Sequence, residues 1–288
     1  MNAVGSARFA AGWLELRERA DAVSRAPELL RPLRTWLAQA GGQEGRPPGL
    51  VIRDLGSGTG SMARWLAVRL PGPQQWTLHD HDPALLAHAG ARMPSTAADG
   101  SAVHTVTEHG DLTALSAADL AGTSLVSASA LLDLLTHDEV EALAEACTRA
   151  GCPALLALSV AGRVELTPKE PLDAELTAAF NDHQRRADRG RRLLGPDAVA
   201  AAVAAFERRG ATVSLRSSPW RLGSAECTLI AEWLRGWVGA AHAQRPALAP
   251  RAVAYLRRRL DQCAAGELGV TVHHTDLLAL PGPPPGAE

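Results

Sequence analysis

Cysteine is scarce in this chain. There are four in 288 residues, Cys147, Cys152, Cys227 and Cys263, and no two form a CxxC pair. That spacing excludes a zinc knuckle or a CxxC redox motif and predicts reduced thiols in the core or on helices. No run of 18 apolar residues occurs, so no membrane span is expected. The stretch MNAVGSARFAAGWLELRERADA lacks the uninterrupted apolar centre of a secretion signal, and a cytoplasmic location is expected. A surplus of one charge is missing too. The formal net charge is -2, which argues against nucleic acid or a lipid surface as partner. Lysine is rare beside arginine and alanine is abundant, a matter of codon usage rather than function. What is present is an ordinary globular composition, 46% hydrophobic, in a chain long enough to bury a substantial core.

Residues 10–40 carry Trp13, Leu14, Leu16 and Val23 near helical spacing, and Pro27 and Pro32 divide the stretch into short helices. GGQEGRPPG at 41–49 reads as a linker. Residues 1–45 are therefore expected as an N-terminal helical cap, 46–281 as the main domain and 282–288 as a disordered tail. From residue 50, strand-like and helix-like runs alternate. LVIRDL, QQWTLHD, AVHTVTEHGDL, SLVSASALL and CPALLALSVAG read as five strands, with helices such as SMARWLAVRL and THDEVEALAEACTRAG between them. This rhythm predicts an α/β fold with a mainly parallel sheet. Thr136 and Glu139 carry a capping-box signature, which makes His137 part of a helix start. After 162 the rhythm breaks. Residues 163–196 are expected as a helical insertion on the substrate side. ATVSLRSSPWRL then reads as a sixth strand and GVTVHHTDLLAL as the last. Trp220, Trp233 and Trp237 are expected to pack in the core or an interface.

Between the first strand and its helix stands DLGSGTG, with glycine at 56, 58 and 60. Missing Cβ atoms let a ligand approach the backbone, and the helix N-terminus adds partial positive charge. Two ligand classes use such a loop. Read from Gly58, the chain offers G-x-G-x-x-A ending at Ala63, a variant of the dinucleotide pattern. Read from Asp54, it matches D-x-G-x-G-x-G in full, which resembles the first motif of class I S-adenosylmethionine-dependent methyltransferases. An acidic residue at the strand end suits an ammonium or sulfonium cation and sits badly beside a pyrophosphate. The resemblance continues through four successive motifs over residues 50–160. Asp80, 20 residues after Gly60, matches the carboxylate that binds the ribose hydroxyls, and Asp82 before Pro83 reads as a helix N-cap. Asp111 matches the acidic residue that contacts the adenine amino group. Ser127 and Ser129 match positions on the methionine side of the cofactor. Ser124 departs from the acidic residue usual there.

The resemblance implies S-adenosyl-L-methionine as cofactor, with Asp54, Gly56, Gly58, Gly60, Asp80, Asp111, Ser127 and Ser129 around it, and no metal. It implies a Rossmann-like three-layer α/β sandwich with a mostly parallel seven-stranded sheet, the last strand antiparallel between the fifth and sixth. The activity implied is methyl transfer to a small-molecule acceptor by in-line displacement. The Asn-Pro-Pro-Tyr segment of nucleobase amine methyltransferases is absent, the chain having Ser129-Ala130-Leu131-Leu132.

No specific catalytic motif is visible, and methyl transfer needs none beyond a held nucleophile and excluded water. In FNDHQRR, Asn181, Gln184 and Arg185 share a helical face that could hold a polar acceptor, with His183 as a candidate base. Glu165, just past the fifth strand, is a second candidate. Arg17 and Arg19 in the cap could meet a carboxylate. Two other readings stay open: a non-catalytic protein that keeps the cofactor pocket, and a nicotinamide-dependent oxidoreductase, which the single tyrosine, Tyr255, does not favour because no Tyr-x-x-x-Lys pair exists.

Overall fold

The structure, a computed structural model, describes residues 11–41, 49–112, 115–188 and 190–282. Residues 283–288 of the expected tail and 42–48 of the expected linker lie outside these residues, as do 1–10 and 42–45 of the expected cap.

The chain opens with α1 (Ala11–Ser24) and α2 (Leu30–Gly41), separated by a 3-10 turn at Pro27–Leu29. Five strands and three helices follow among the described residues: β1 (Leu50–Leu55), α3 (Ser61–Ala67), β2 (Gln74–Asp80), α4 (Pro83–Ala91), β3 (Val103–His109), β4 (Leu125–Ser129), α5 (His137–Arg149) and β5 (Ala154–Thr167). The helix starts are fixed locally, as the sequence predicts. Asp82 accepts the Ala84 N–H at 2.9 Å with Pro83 beginning α4, and Thr136 and Glu139 form the reciprocal capping box of α5. Beyond β5 come α6 (Leu172–Gln184), a small hairpin of β6 (Ala187–Asp188) and β7 (Arg191–Arg192), and α7 (Ala198–Glu207). The chain then runs through β8 (Thr212–Ser217), β9 (Trp220–Leu222), α8 (Cys227–Gln244), α9 (Ala249–Ala264) and β10 (Gly269–Leu280).

The main sheet has the order β3-β2-β1-β4-β5-β10-β8. The first five strands are parallel, and β10 lies antiparallel between β5 and β8. The three-layer α/β architecture and its inserted last strand are those expected from the sequence. One strand is added: Ser218 and Pro219 break the sixth run, because proline gives the ladder no N–H, and β9 pairs separately with β10 as an eighth member of the sheet. β5 is also longer than expected, reaching five residues into 163–196. Its register with β10 continues through Thr271↔Glu165 to Gly269↔Thr167, with Leu166 buried. Pairing with a long antiparallel partner extends a strand whose polar alternation looked like a loop.

Apolar residues cover both faces. Leu33, Leu37, Met62, Leu66 and Leu86 close one side over Ile52, Trp76 and Leu278. Val140, Leu143, Cys147 and Phe206 close the other over Leu55, Val126 and Leu156. A third core joins α6, α8 and α9 around Trp233 and Trp237, stacked at 5.1 Å. Among the described residues no helix is long and apolar enough to cross a membrane.

Candidate functional site

In an open parallel sheet, ligands bind beyond the carboxyl ends of the strands where the winding direction reverses. Here that point lies between β1 and β4, and a cavity of about 540 Å³ opens there. Its floor comes from the ends of β1, β2, β3 and β4: Asp54, Asp80, Asp111, Ser129 and Ala130.

The glycine loop forms one wall. Gly56 and Gly58 take φ of 58° and 52°, and both line the cavity. A Cβ on Gly56 would lie 2.9 Å from Leu131, and one on Gly58 would lie 3.0 Å from Leu14. Their backbone angles require glycine at both positions, and the leucine methyl groups are the first atoms an added side chain would meet. Gly60 is different. It precedes α3 with φ of 82°, its missing Cβ faces Ala89 and Arg64, and it lies outside the cavity wall.

Two carboxylates meet at the loop. Asp80 is buried, its Oδ2 accepting the Gly58 N–H at 2.8 Å and its Oδ1 the Asp82 N–H at 3.0 Å. Asp54 is 1% exposed. Its Oδ1 accepts the Ser127 hydroxyl at 2.6 Å, and its Oδ2 is buried without a hydrogen-bond partner. Burial lifts the Asp54 carboxyl to about 7, against the pull of Ser127 and of the Arg25 charge. Ser127 thus sits behind Asp54 rather than in the cavity wall, whereas Ser129 reaches the wall as expected.

The cap supplies the roof. Leu14, Arg17 and Asp21 stand at i, i+3 and i+7 of α1 and all line the cavity. Arg17 grips Asp21 through Nε at 2.9 Å and lies over the Trp220 ring at 5.0 Å, while Trp220 Nε1 donates to Asp21 at 2.9 Å. Behind them Arg25 is 2% exposed, and its Nη2 donates to the hydroxyls of Ser61 at 2.8 Å and Ser129 at 3.2 Å, both cavity residues. The buried Nε of Arg25 has no hydrogen-bond partner. Asp276 anchors the junction after α1: its carboxylate accepts the N–H of Ala26 at 2.8 Å, the N–H of Leu158 at 2.7 Å and the Ser218 hydroxyl at 2.6 Å.

The far side of the cavity is closed by Leu131, Leu134, Leu135 and the β6–β7 hairpin, through Arg186, Asp188, Arg191 and Leu193. Arg191 holds Glu139 by two bonds, at 2.8 and 2.6 Å, so the capping residue of α5 also fixes this wall. Between Leu131 and Leu134, Asp133 carries a buried Oδ1 without a hydrogen-bond partner, and burial lifts its carboxyl to about 6.

The acceptor residues expected on the insertion do not reach the cavity. Asn181 donates to the Gly162 carbonyl at 2.7 Å, Arg185 pairs with Asp197 at 2.6 Å, and Gln184 packs against Gly195. The side chain of His183 lies outside the wall, its ring held below the usual histidine range by burial and by Arg186. α6 turns this face toward β5 and the turn before α7. Glu165 lies inside β5, ion-paired with Arg163 and 3.4 Å from His273 Nε2, and does not line the cavity. Tyr255 is buried in the third core and donates to Asp173 at 2.7 Å. Of the acceptor-side residues read from the sequence, Arg17 alone reaches the site. The residues missed are Asp21, Arg25, Asp133, Glu139, Arg186, Asp188 and Arg191. Asp21 could have been found by continuing the 14, 17, 21 face of α1; Arg25 and Asp133 leave no local sign.

Sheet order, reversal point and glycine-lined cavity together define a Rossmann-like α/β protein with a cavity at the carboxyl edge of its sheet. No protein-family profile matches the chain, and no curated protein sequence matches it. Solved structures similar to it include an S-adenosylmethionine-dependent methyltransferase of Geobacter sulfurreducens in complex with S-adenosylhomocysteine. That protein is 17% identical, with 94% of this chain and 98% of that one covered at a TM-score of 0.44. An S-adenosylmethionine-dependent methyltransferase of Thiobacillus denitrificans, in complex with S-adenosylhomocysteine, is also 17% identical, with 94% and 98% covered and a TM-score of 0.42. A cyclopropane synthase of Mycobacterium tuberculosis is 14% identical, with 87% and 83% covered and a TM-score of 0.42.

Proposed function

We propose that the protein is an S-adenosylmethionine-dependent methyltransferase acting on a small-molecule acceptor. The observation that carries this reading is Asp54: a buried carboxyl in the cavity wall, lifted to about 7, with one oxygen lacking a partner. Such a group favours a ligand that brings a positive charge, because the cation restores the ionised form. A pyrophosphate at the same spot would oppose it. S-adenosylmethionine carries an ammonium and a sulfonium, and the residues present fit it. Gly56 and Gly58 bring bare backbone to the cavity wall, Asp80 stands at the end of β2 for the ribose hydroxyls, and Asp111 stands past the end of β3 for the adenine. When bound, this cofactor supplies an electrophilic methyl group.

The chain's own contribution is enclosure. Leu14 and Leu131 close over the glycine loop, and Arg17 and Asp21 hold the roof down through Trp220. Water exclusion and fixed approach supply much of the rate of an in-line displacement. A cavity of this size, roofed by a helix and walled by a hairpin, suits a small acceptor better than a polymer. The nicotinamide reading loses its proton donor, because the hydroxyl of Tyr255 is engaged by Asp173 away from the cavity.

Calorimetric titration of the purified protein with S-adenosylmethionine, S-adenosylhomocysteine, NAD and NADP tests the proposal. Micromolar binding of the first pair is expected. Asp80→Ala removes a carboxylate and leaves the Gly58 and Asp82 N–H groups without their partner, so affinity is expected to fall roughly 100-fold. Binding of a nicotinamide dinucleotide alone would sink the methyltransferase reading.

A further inference from the structure

We infer that Cys227 and Cys263 are a redox pair that closes the α8–α9 hairpin with a disulfide bond. Cys227 is the first residue of α8 and Cys263 the last but one of α9. They are 36 positions apart in sequence, yet their Sγ atoms lie 2.6 Å apart. That is well inside the contact distance of two unbonded sulfurs and close to the bonded length of about 2.0 Å. The two side chains also face each other across the helix ends. The Cys227 thiol donates to the Cys263 carbonyl at 3.2 Å, and the Cys263 thiol to the Cys227 carbonyl at 3.3 Å.

Access is unequal. Cys263 is 3% exposed and Cys227 is half-buried. Burial and the neighbouring sulfur push the Cys263 thiol up to about 12, so Cys227 is the residue that opens an exchange. With a small disulfide such as oxidised glutathione as oxidant, the Cys227 thiolate attacks one of its sulfurs and releases one glutathione. Cys263 then attacks the Cys227 sulfur, the protein S–S bond forms and the second glutathione leaves. The two protein protons end on the two released thiols, and the small disulfide is the species reduced. Cys147 and Cys152 lie in the core at 0% and 1% exposure and are shut off from the same oxidant.

The bridge would staple the base of an excursion that leaves the sheet after β9 and returns at β10. β9 carries Trp220, the ring beneath Arg17 and Asp21 of the cavity roof.

The test is to incubate the reduced native chain with oxidised glutathione, alkylate in denaturant, and weigh and digest it. Two alkylated cysteines, no glutathione adduct and a peptide joining Cys227 to Cys263 are expected. The oxidised protein should also melt several degrees higher than the reduced one, reversibly with dithiothreitol. Cys227→Ser should keep its three remaining thiols and show no such shift. Four alkylated cysteines, a persistent glutathione adduct on Cys227, or a bond joining only Cys147 and Cys152 would each overturn the inference.

Discussion

Replacing Asp54 by asparagine is expected to stabilise the ligand-free protein above neutral pH while weakening its hold on S-adenosylmethionine. The carboxyl titrates at about 7 in the fold against 3.8 as its ordinary value. Between those values the folded chain binds the extra proton, so stability is lost as pH rises from about 4 through 7. The full difference corresponds to roughly 4 kcal/mol. Asparagine keeps the oxygen that accepts the Ser127 hydroxyl and never ionises. Thermal unfolding at pH 5 and pH 8 should show the variant's advantage over wild type growing from the lower pH to the higher. Ligand binding should move the opposite way. Affinity of the wild type for the cationic ligand should increase from pH 6 to 8, and that of the variant should be flat and roughly 10- to 100-fold weaker. Equal melting profiles together with equal affinities would remove Asp54 from the site.

Asp276→Ala is expected to cost about 3–5 kcal/mol of unfolding free energy, through three buried donors left without an acceptor and the lost counter-charge to Arg25. Leu158, one of those donors, sits at φ of 53°, a left-handed backbone that the Asp276 bond helps to hold. Urea unfolding should show a lower midpoint with an unchanged slope. Asp276→Asn separates the contributions. Its oxygen can keep Leu158 and Ser218 while its amide group faces the Ala26 N–H, so the loss should be smaller and concentrated at the cap. Protease cleavage after Arg17 or Arg25 should accelerate in both variants. A midpoint unmoved by the alanine change would show that the cap is held elsewhere.

The part of the site carried by local sequence was legible. Asp54, Gly56, Gly58 and Asp80 lie within one strand-loop-helix unit and the next strand end, where spacing fixes geometry. The helix starts at Asp82 and Thr136 were legible for the same reason. Gly60 matched its pattern but serves the packing of α3 against α4, which a spacing rule does not distinguish from ligand contact. Ser127 matched its position but braces Asp54 from behind. The acceptor side was misread because a polar helical face in the insertion looks the same whether it meets a cavity or another element. Asn181 and Arg185 are used up on Gly162 and Asp197. The wall is instead made by Arg186, Asp188 and Arg191, whose placement depends on a long-range pair with Glu139. Arg25 and Asp276 were invisible because their partners come from distant elements.

The bond from Asp276 to Ala26 joins positions 250 apart, and that has a consequence for the order of events at the ribosome. The glycine loop and both of its carboxylates are translated within the first third of the chain. The helix that roofs them emerges earlier still, yet its anchor arrives on the last strand. The enclosure is therefore finished only when β10 slots between β5 and β8.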